Sequence, residues 1–381
     1  MADAAVINRD PKRRQLNILL GAAGVAIVLA AAAVFQQSLS TSPQFQARPF
    51  FPGLTDRLTQ VGEIAITTKS GAFHVRLQQG KWIIPERAGF PADPSQVRST
   101  ALGLADLTIL EPKTSRPDLL SYVGLIAPDK GGDATDVKLT DSTGKPMGEL
   151  LTGHTEGAAD ELGRNTIYVR HPDENQSWLA RGSLTLKSNV TDWLDRSVLN
   201  IDRDRIKGAS VMPAKGPAYN LSRDSKDQPD FKLLDMPTGR ALSFDGSPDG
   251  VAGAIASFTF DDVAKEDQFN FAKAPQSATH TFDGLDIVVQ IATKGTDHWA
   301  RITAAAIDPK VQAEVDKLNA TLDGWAFKLP DDKVNQLIAD RETLLKPVDT
   351  DNPATTDKPA TTEKPATTVK KQTGASGRNR L

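Results

Sequence analysis

From Leu16 to Phe35 the run LNILLGAAGVAIVLAAAAVF is apolar on every side, with Asn17 its one polar side chain. At the rise of an α-helix it spans about 30 Å, one bilayer core, so the pattern predicts a transmembrane helix over 16–35. Arg9, Lys12, Arg13 and Arg14 precede it and the uncharged QQSLSTSPQFQ follows, which puts segment 1–15 in the cytoplasm and the rest outside it. Ala31-Ala32-Ala33 offers a signal-peptide cut site, but the apolar run exceeds the roughly 7–15 residues of such peptides, which favours a retained anchor.

Beyond the anchor the period changes. Gly62 to Pro85, GEIAITTKSGAFHVRLQQGKWIIP, alternates apolar and polar residues about a Ser-Gly turn and predicts a hairpin plus a third strand at Trp82. Next, Asp93 and Pro94 form an N-cap and first helical position ahead of Val97, Ala101, Leu104 and Leu107 at helical spacing. Strands are expected again in ATDVKLTDSTGKPMGELLTG and NTIYVRH.

The same plan recurs about 145 residues later. Ile206 answers Ile64, and Phe231 answers Trp82. Ser247-Pro248 stands as cap and first helical residue before Val251, Ala254, Ile255 and Phe258. Strands follow in SATHTFDGLDIVVQIATKG and HWARITA. Trp325 answers Trp178, and the pair Asp340-Arg341 answers Asp195-Arg196. These eight residues, Trp82, Phe231, Trp178, Trp325, Asp195, Arg196, Asp340 and Arg341, are read as structural markers. The expected fold is α+β: a stalk and fold entry over 36–60, then two tandem units over 61–203 and 204–347, each a mostly antiparallel sheet with helices on one side. From 348 to 381 the repeats PATTDK, PATTEK and PATTVK read as a disordered tail, because Pro, Thr and alternating charge offer nothing to bury.

Composition narrows the function without naming it. The 381 residues are 39% hydrophobic, enough for real cores, and 45 basic against 48 acidic side chains leave no field that would favour nucleic acid. With no cysteine, disulfides, thiolate nucleophiles and sulfur-bound zinc are excluded.

The five histidines, at 74, 154, 171, 280 and 298, show no i, i+4 pair of a helical metal face, so no metal or cofactor is expected. DGSPDG at 245–250 lacks the Glu that closes a calcium loop, since Ala256 stands in its place, and reads as a turn and cap. Asp261-Asp262 and Asp331-Asp332 read as helix-end charges. No G-x-S-x-G elbow, phosphate-binding loop or dinucleotide turn is present. IDRDRI at 201–206 joins the two units as an ion-pair linker, with Asp202, Arg203, Asp204 and Arg205 as candidate partner-docking residues.

The segments FPGLTDRL, GKWIIPERAGFPAD, EPKTSRPDLL followed by VGL, NTIYVRH and WLDRSVLNIDRDRI strongly resemble the family DUF4340, a domain of unknown function in membrane-anchored bacterial proteins, over about residues 49–346. The resemblance implies association with ABC-type transport systems of the gliding-motility kind, beside an ATPase, a permease and a second extracytoplasmic auxiliary subunit. It supplies no catalytic residues. The expected protein is therefore a non-catalytic, single-span inner-membrane protein with its bulk in the periplasm, acting through protein partners. A glycan- or lipid-binding envelope module is the alternative, and an envelope hydrolase a lesser one. The former predicts an exposed aromatic platform, the latter titratable residues converging in one cleft.

Overall fold

The computed structural model describes residues 45–347. The expected cytoplasmic segment 1–15, the membrane helix 16–35, the first part of the stalk (36–44) and the tail 348–381 lie outside the described residues. Among the described residues no helix is long and apolar enough to cross a membrane.

The fold is α+β with antiparallel sheets and few helices. The first sheet is built from β1 (Arg48–Pro49), β2 (Val61–Thr68), β3 (Gly71–Gln78), β4 (Lys81–Ile84), β5 (Phe90–Pro91), β6 (Thr108–Pro112), β7 (Thr135–Asp141), β8 (Pro146–Glu156), β9 (Asn165–Arg170) and β10 (Ser177–Gly182), with helix α1 (Pro94–Ala105) between β5 and β6. The second holds β11 (Ile206–Met212), β12 (Tyr219–Ser222), β13 (Lys232–Leu233), β14 (Asp262–Lys265), β15 (Gln276–Thr281), β16 (Leu285–Lys294), β17 (Asp297–Ala306) and β18 (Trp325–Leu329). Its helices are α2 (Asp249–Ala252), α3 (Gln312–Leu322) and α4 (Asp331–Leu337).

The first sheet, read from β4, runs β4, β3, β2, β7, β8, β9, β10, β6; the second, read from β13, runs β13, β12, β11, β15, β16, β17, β18, β14. Position by position these are strands of the same rank along the chain, and only the edge strands β5 and β1 are extra. Even an irregularity is shared. The β2–β7 ladder slips between Val61 and Glu63, and the β11–β15 ladder slips between Ile206 and Gly208. Each slip marks one extra residue, which lets the chain turn two nearby apolar residues inward despite the period of two.

That bulge corrects one expected correspondence. Ile206 answers Val61, not Ile64; both Val61 and Ile64 are buried because the bulge lies between them, and matching by residue type alone chose the wrong one. Phe231 does stand one residue before the strand pair that matches Ile83, since Lys232 faces Ser222 as Ile83 faces Arg76. Trp325 does not answer Trp178 in register: Trp178 faces Val169 and Phe327 faces the matching Ala300, so Phe327 takes the Trp178 position and Trp325 lies two residues before it.

Asp195-Arg196 and Asp340-Arg341 are not equivalent. Where the chain returns to its sheet it forms one bridge in each half, Ala92 with Leu194 and Leu242 with Leu345. Asp195 follows its bridge and Asp340 precedes its own, accepting from the Glu342 N–H at 3.2 Å at the head of a 3₁₀ turn.

The helices also differ. Asp93 caps α1 as its sequence suggests, accepting from the Ser95 N–H at 2.8 Å. Ser247 caps nothing; its hydroxyl donates to the Leu344 carbonyl at 3.0 Å, and α2 stops after four residues. Gly250 and Gly253 weaken helix propensity there, and the chain tightens into a 3₁₀ turn over Ala254–Ser257.

One apolar core runs through both sheets, with Val97 and Leu104 of α1, Val315 and Leu322 of α3, and Val334 and Leu337 of α4 packed into it. The sheets meet end to end. Phe90 on the β5 edge, 1% exposed, packs edge-on against Trp325 at 5.0 Å and against Phe260 and Phe327 at 6.2 Å.

Candidate functional site

Between β6 and β7 the chain, residues 113–134, forms a strap that lays Leu120, Leu125 and Ala134 against Leu151 of β8, with Tyr168 of β9 at the margin. The backbones approach closely because glycine permits it. A Cβ at Gly153 would sit 2.1 Å from the Val123 carbonyl oxygen, and one at Gly124, whose φ is +70°, would sit 2.7 Å from the His154 ring. Between the strap and His154 lies a cavity of about 250 Å³ lined by Ser121, Lys130 and Asp133 among others.

The strap is pinned by Arg170, which is 4% exposed. Its Nε donates to the Leu125 carbonyl at 3.0 Å, and its Nη1 to the carbonyls of His171, Pro172 and Glu174 at 3.1, 2.9 and 2.8 Å. The cation is thus solvated by neutral oxygens instead of by a carboxylate. Nearby on β7, Asp136 keeps Oδ1 buried with no hydrogen-bond partner. Its pKa is pushed up to about 6, first by burial and then by the Glu149 and Asp129 carboxylates, against the pull of Lys138 and Arg170.

The second sheet repeats this arrangement in neutral form. Ladder register makes Gln276 the counterpart of Asp136 and Arg301 the counterpart of Arg170. Gln276 accepts from Gln290 at 3.4 Å, and Gln290 accepts from Arg301 at 3.1 and 2.5 Å. A shorter strap carries Phe269 and Phe271 onto Ala292 and Ala326, and Arg301 lies over the Phe271 ring at 5.1 Å.

A second feature is the cleft of about 450 Å³ beside the joint between the sheets, lined by Ser70, Glu86, Arg87, Ser188, Asn189 and Thr191 among others. Its two charges are already committed. Arg87 grips Asp262 with a fork at 2.5 and 3.0 Å, and Glu86 accepts from His74 Nδ1 at 2.6 Å and from the His74 N–H at 3.1 Å. Burial alone would raise the Glu86 pKa, but these bonds hold it below its ordinary value. What remains mixes the hydroxyls of Thr68, Ser70, Ser188 and Thr191 and the Asn189 amide with apolar Ala72, Phe73 and Val190. Arg196 clamps the same joint by donating to the carbonyls of Phe260 and Thr191.

A third feature is the groove of about 280 Å³ where Trp82 faces α1, with Leu58, Val97, Arg98 and Leu102 around it. Trp82 is half-buried there and packs helix against sheet. Phe231, in the matching slot, is 2% exposed and lies between the guanidinium groups of Arg203 and Arg223, at 5.7 and 4.9 Å. Trp178 lies against Phe45 at 5.6 Å with the rings tilted by 36°, under Arg48, while Trp325 carries Lys265 at 3.4 Å.

Of the candidate docking residues, the two arginines are occupied within the chain. Arg203 pairs with Asp249 at 3.1 Å, and Arg205 pairs with both Asp283 and Glu314 at 2.8 and 2.9 Å. Asp202 and Asp204 are exposed. The five histidines stay apart: His171 stacks on Phe50 at 4.3 Å, His280 pairs with Asp286 at 3.0 Å, and His298 meets Thr293 at 3.1 Å. Among the described residues no cluster of three or more His, Cys, Asp or Glu side chains could hold a metal ion.

Asp136 escaped sequence reasoning because in ATDVKLTD it occupies a polar place in a regular alternation, which reads as a solvated face. Its contrast with Gln276 was the available signal. Phe90 was hidden for the opposite reason, since an aromatic near an edge looks like core and nothing local says that its packing partners belong to the other sheet.

No curated protein and no solved structure matches the chain. A family model described as a domain of unknown function, DUF4340, matches residues 82–268, a narrower span than the resemblance along the sequence. It runs from the Trp82 strand across the joint and into the second sheet. The chain therefore carries a DUF4340 domain over residues 82–268.

Proposed function

We propose that residues 61–203 and 204–347 are two copies of one α+β unit, held beside an inner membrane by the 16–35 helix, and that the chain is a non-catalytic auxiliary subunit of an ABC-type transport system, binding protein partners on the periplasmic side. The observation that carries this reading is at the far end of the second sheet. Leu234, Met236 and Phe244 are 59%, 38% and 67% exposed in the segment that follows edge strand β13. The corresponding end of the first sheet, at β4 and β5, is buried against its neighbour through Phe90. Stacked units need a polar cap at each open end, and exposed apolar groups there favour a protein partner. Strand order sets this end opposite to β1, the end that leads back to the anchor. Tethering beside a permease would raise the effective concentration of the docking end.

The test is affinity purification of the full chain from gently solubilised membranes. An ATPase and a permease should accompany the wild-type chain and be lost from Leu234→Glu/Phe244→Glu. Recovery of the chain alone, under conditions that keep other membrane complexes intact, would overturn the reading.

The second reading, an envelope-glycan module, draws on the hydroxyls, the amide and the Phe73 ring that line the cleft at the joint. It expects peptidoglycan fragments to shift resonances of Ser188 and Thr191. No shift at millimolar fragment would count against it.

A further inference from the structure

Arg170 and Asp136 form an unfinished pair. The guanidinium takes four carbonyl oxygens and leaves the neighbouring carboxylate with a buried, unpartnered Oδ1, although an ion pair is the usual solution for two such groups. The carboxylate also faces Glu149 from β8 and Asp129 from the strap, while Lys138 on its own strand is engaged with Glu149 at 2.9 Å. From β2 its ladder neighbour is the uncharged Thr67. The second sheet solves the same position with a neutral glutamine bonded into a chain that ends on its arginine.

We propose that residues 113–134 are a proton-controlled cover: with Asp136 neutral the strap lies closed, and ionised Asp136 draws Arg170 off the Leu125 carbonyl, loosening the strap and uncovering the apolar face of Leu151 and Tyr168. One bond links the arginine side chain to the moving segment, at Leu125; the other three go to residues after β9. Loss of that one bond loosens the strap around Leu125, while the strap stays tied at Thr114, whose carbonyl accepts from the Ser177 N–H at 2.8 Å, and at Val123, whose carbonyl accepts from the His154 N–H at 3.0 Å, and the β9 end stays held. The sign follows from the elevated pKa. A carboxyl group that titrates at about 6 when covered and at 3.8 when free stabilises the closed form fully below the lower value, and this contribution is lost as pH rises through the upper one.

Hydrogen–deuterium exchange of the full chain, corrected for intrinsic rates, tests this at about pH 4.5 and about pH 7. Peptides from 113–134 should exchange about tenfold faster at the higher pH, the full shift being discounted for partial solvent access. Peptides from 266–275, beside Gln276, should show no such change. In Asp136→Asn the first strap should be equally protected at both values. Asp136→Gln, which installs the second sheet's own residue, should behave likewise and stands in if the Asn variant folds poorly. Equal protection of the wild-type strap at both pH values, or a pH response retained in both variants, would overturn the proposal.

Discussion

Arg205, just before β11, ties the turn between β15 and β16 to α3. Its Nε and Nη2 reach Asp283 at 3.1 and 2.8 Å, and its Nη1 and Nη2 reach Glu314 of α3 at 2.9 Å each. The Glu314 bonds, and then Asp283, hold the guanidinium above its ordinary pKa despite partial burial. For Asp283 burial acts to raise the pKa, but Thr281 and Arg205 together hold it below its ordinary value. A lowered folded-state value means that this contribution is present above the free carboxylate's 3.8 and fades as pH falls below it. Lysine keeps the charge and loses the fork, so Arg205→Lys should cost about 1 kcal/mol near neutral pH, a figure kept small because the partners are partly exposed. Urea denaturation would read it, and the gap between variant and wild type should shrink below about pH 4. An unchanged midpoint near neutral pH would show that a point charge suffices.

At the scale of elements, α1 and α2 look alike in the sequence and differ in the fold. Each has a capping residue type followed by a proline at its start, yet only Asp93 reaches a free N–H. Asp93→Ala should therefore cost about 1 kcal/mol, and Ser247→Ala less than about 0.5 kcal/mol as a helix cap. Similar losses from both would mean that the Ser247 bond to Leu344 matters as much as a cap. Gly103 adds a further test inside α1. Alanine there improves helix propensity, but its Cβ would lie 2.8 Å from the Leu184 backbone, so Gly103→Ala should lower the thermal midpoint. The α+β class and the hairpins were legible because alternation and turn residues are local. Bulge position and ladder register depend on partners elsewhere in the chain, which is why Ile64 and the Asp-Arg pairs misled. Asp136 was invisible in the same way, because Asp129, Glu149 and Arg170, the charges that act on it from the strap, β8 and β9, are brought to it only by the fold.

Across the whole molecule the question is whether two sheets unfold as one. The joint rests on few side chains: Phe90 among Trp325, Phe260 and Phe327, and the Arg87–Asp262 fork, whose partners are each 25% exposed. The core is nevertheless continuous across it, so the wild type should unfold in one cooperative step. Truncating Phe90, which is 1% exposed, removes a ring enclosed by aromatic neighbours, a change that costs about 3–5 kcal/mol in well-packed cores. That loss falls mainly on the coupling between the sheets and only secondarily on either sheet alone. Phe90→Ala should thus separate the transition into two. Tryptophan placement makes the steps distinguishable: Trp82, Trp178 and Trp193 report on the first half, Trp299 and Trp325 on the second. Fluorescence of variants that keep tryptophan in only one half, followed through urea, would give two midpoints in the Phe90→Ala background. A single shared midpoint, merely lowered, would show instead that the joint is an integral part of one core and that the two halves have no independent stability.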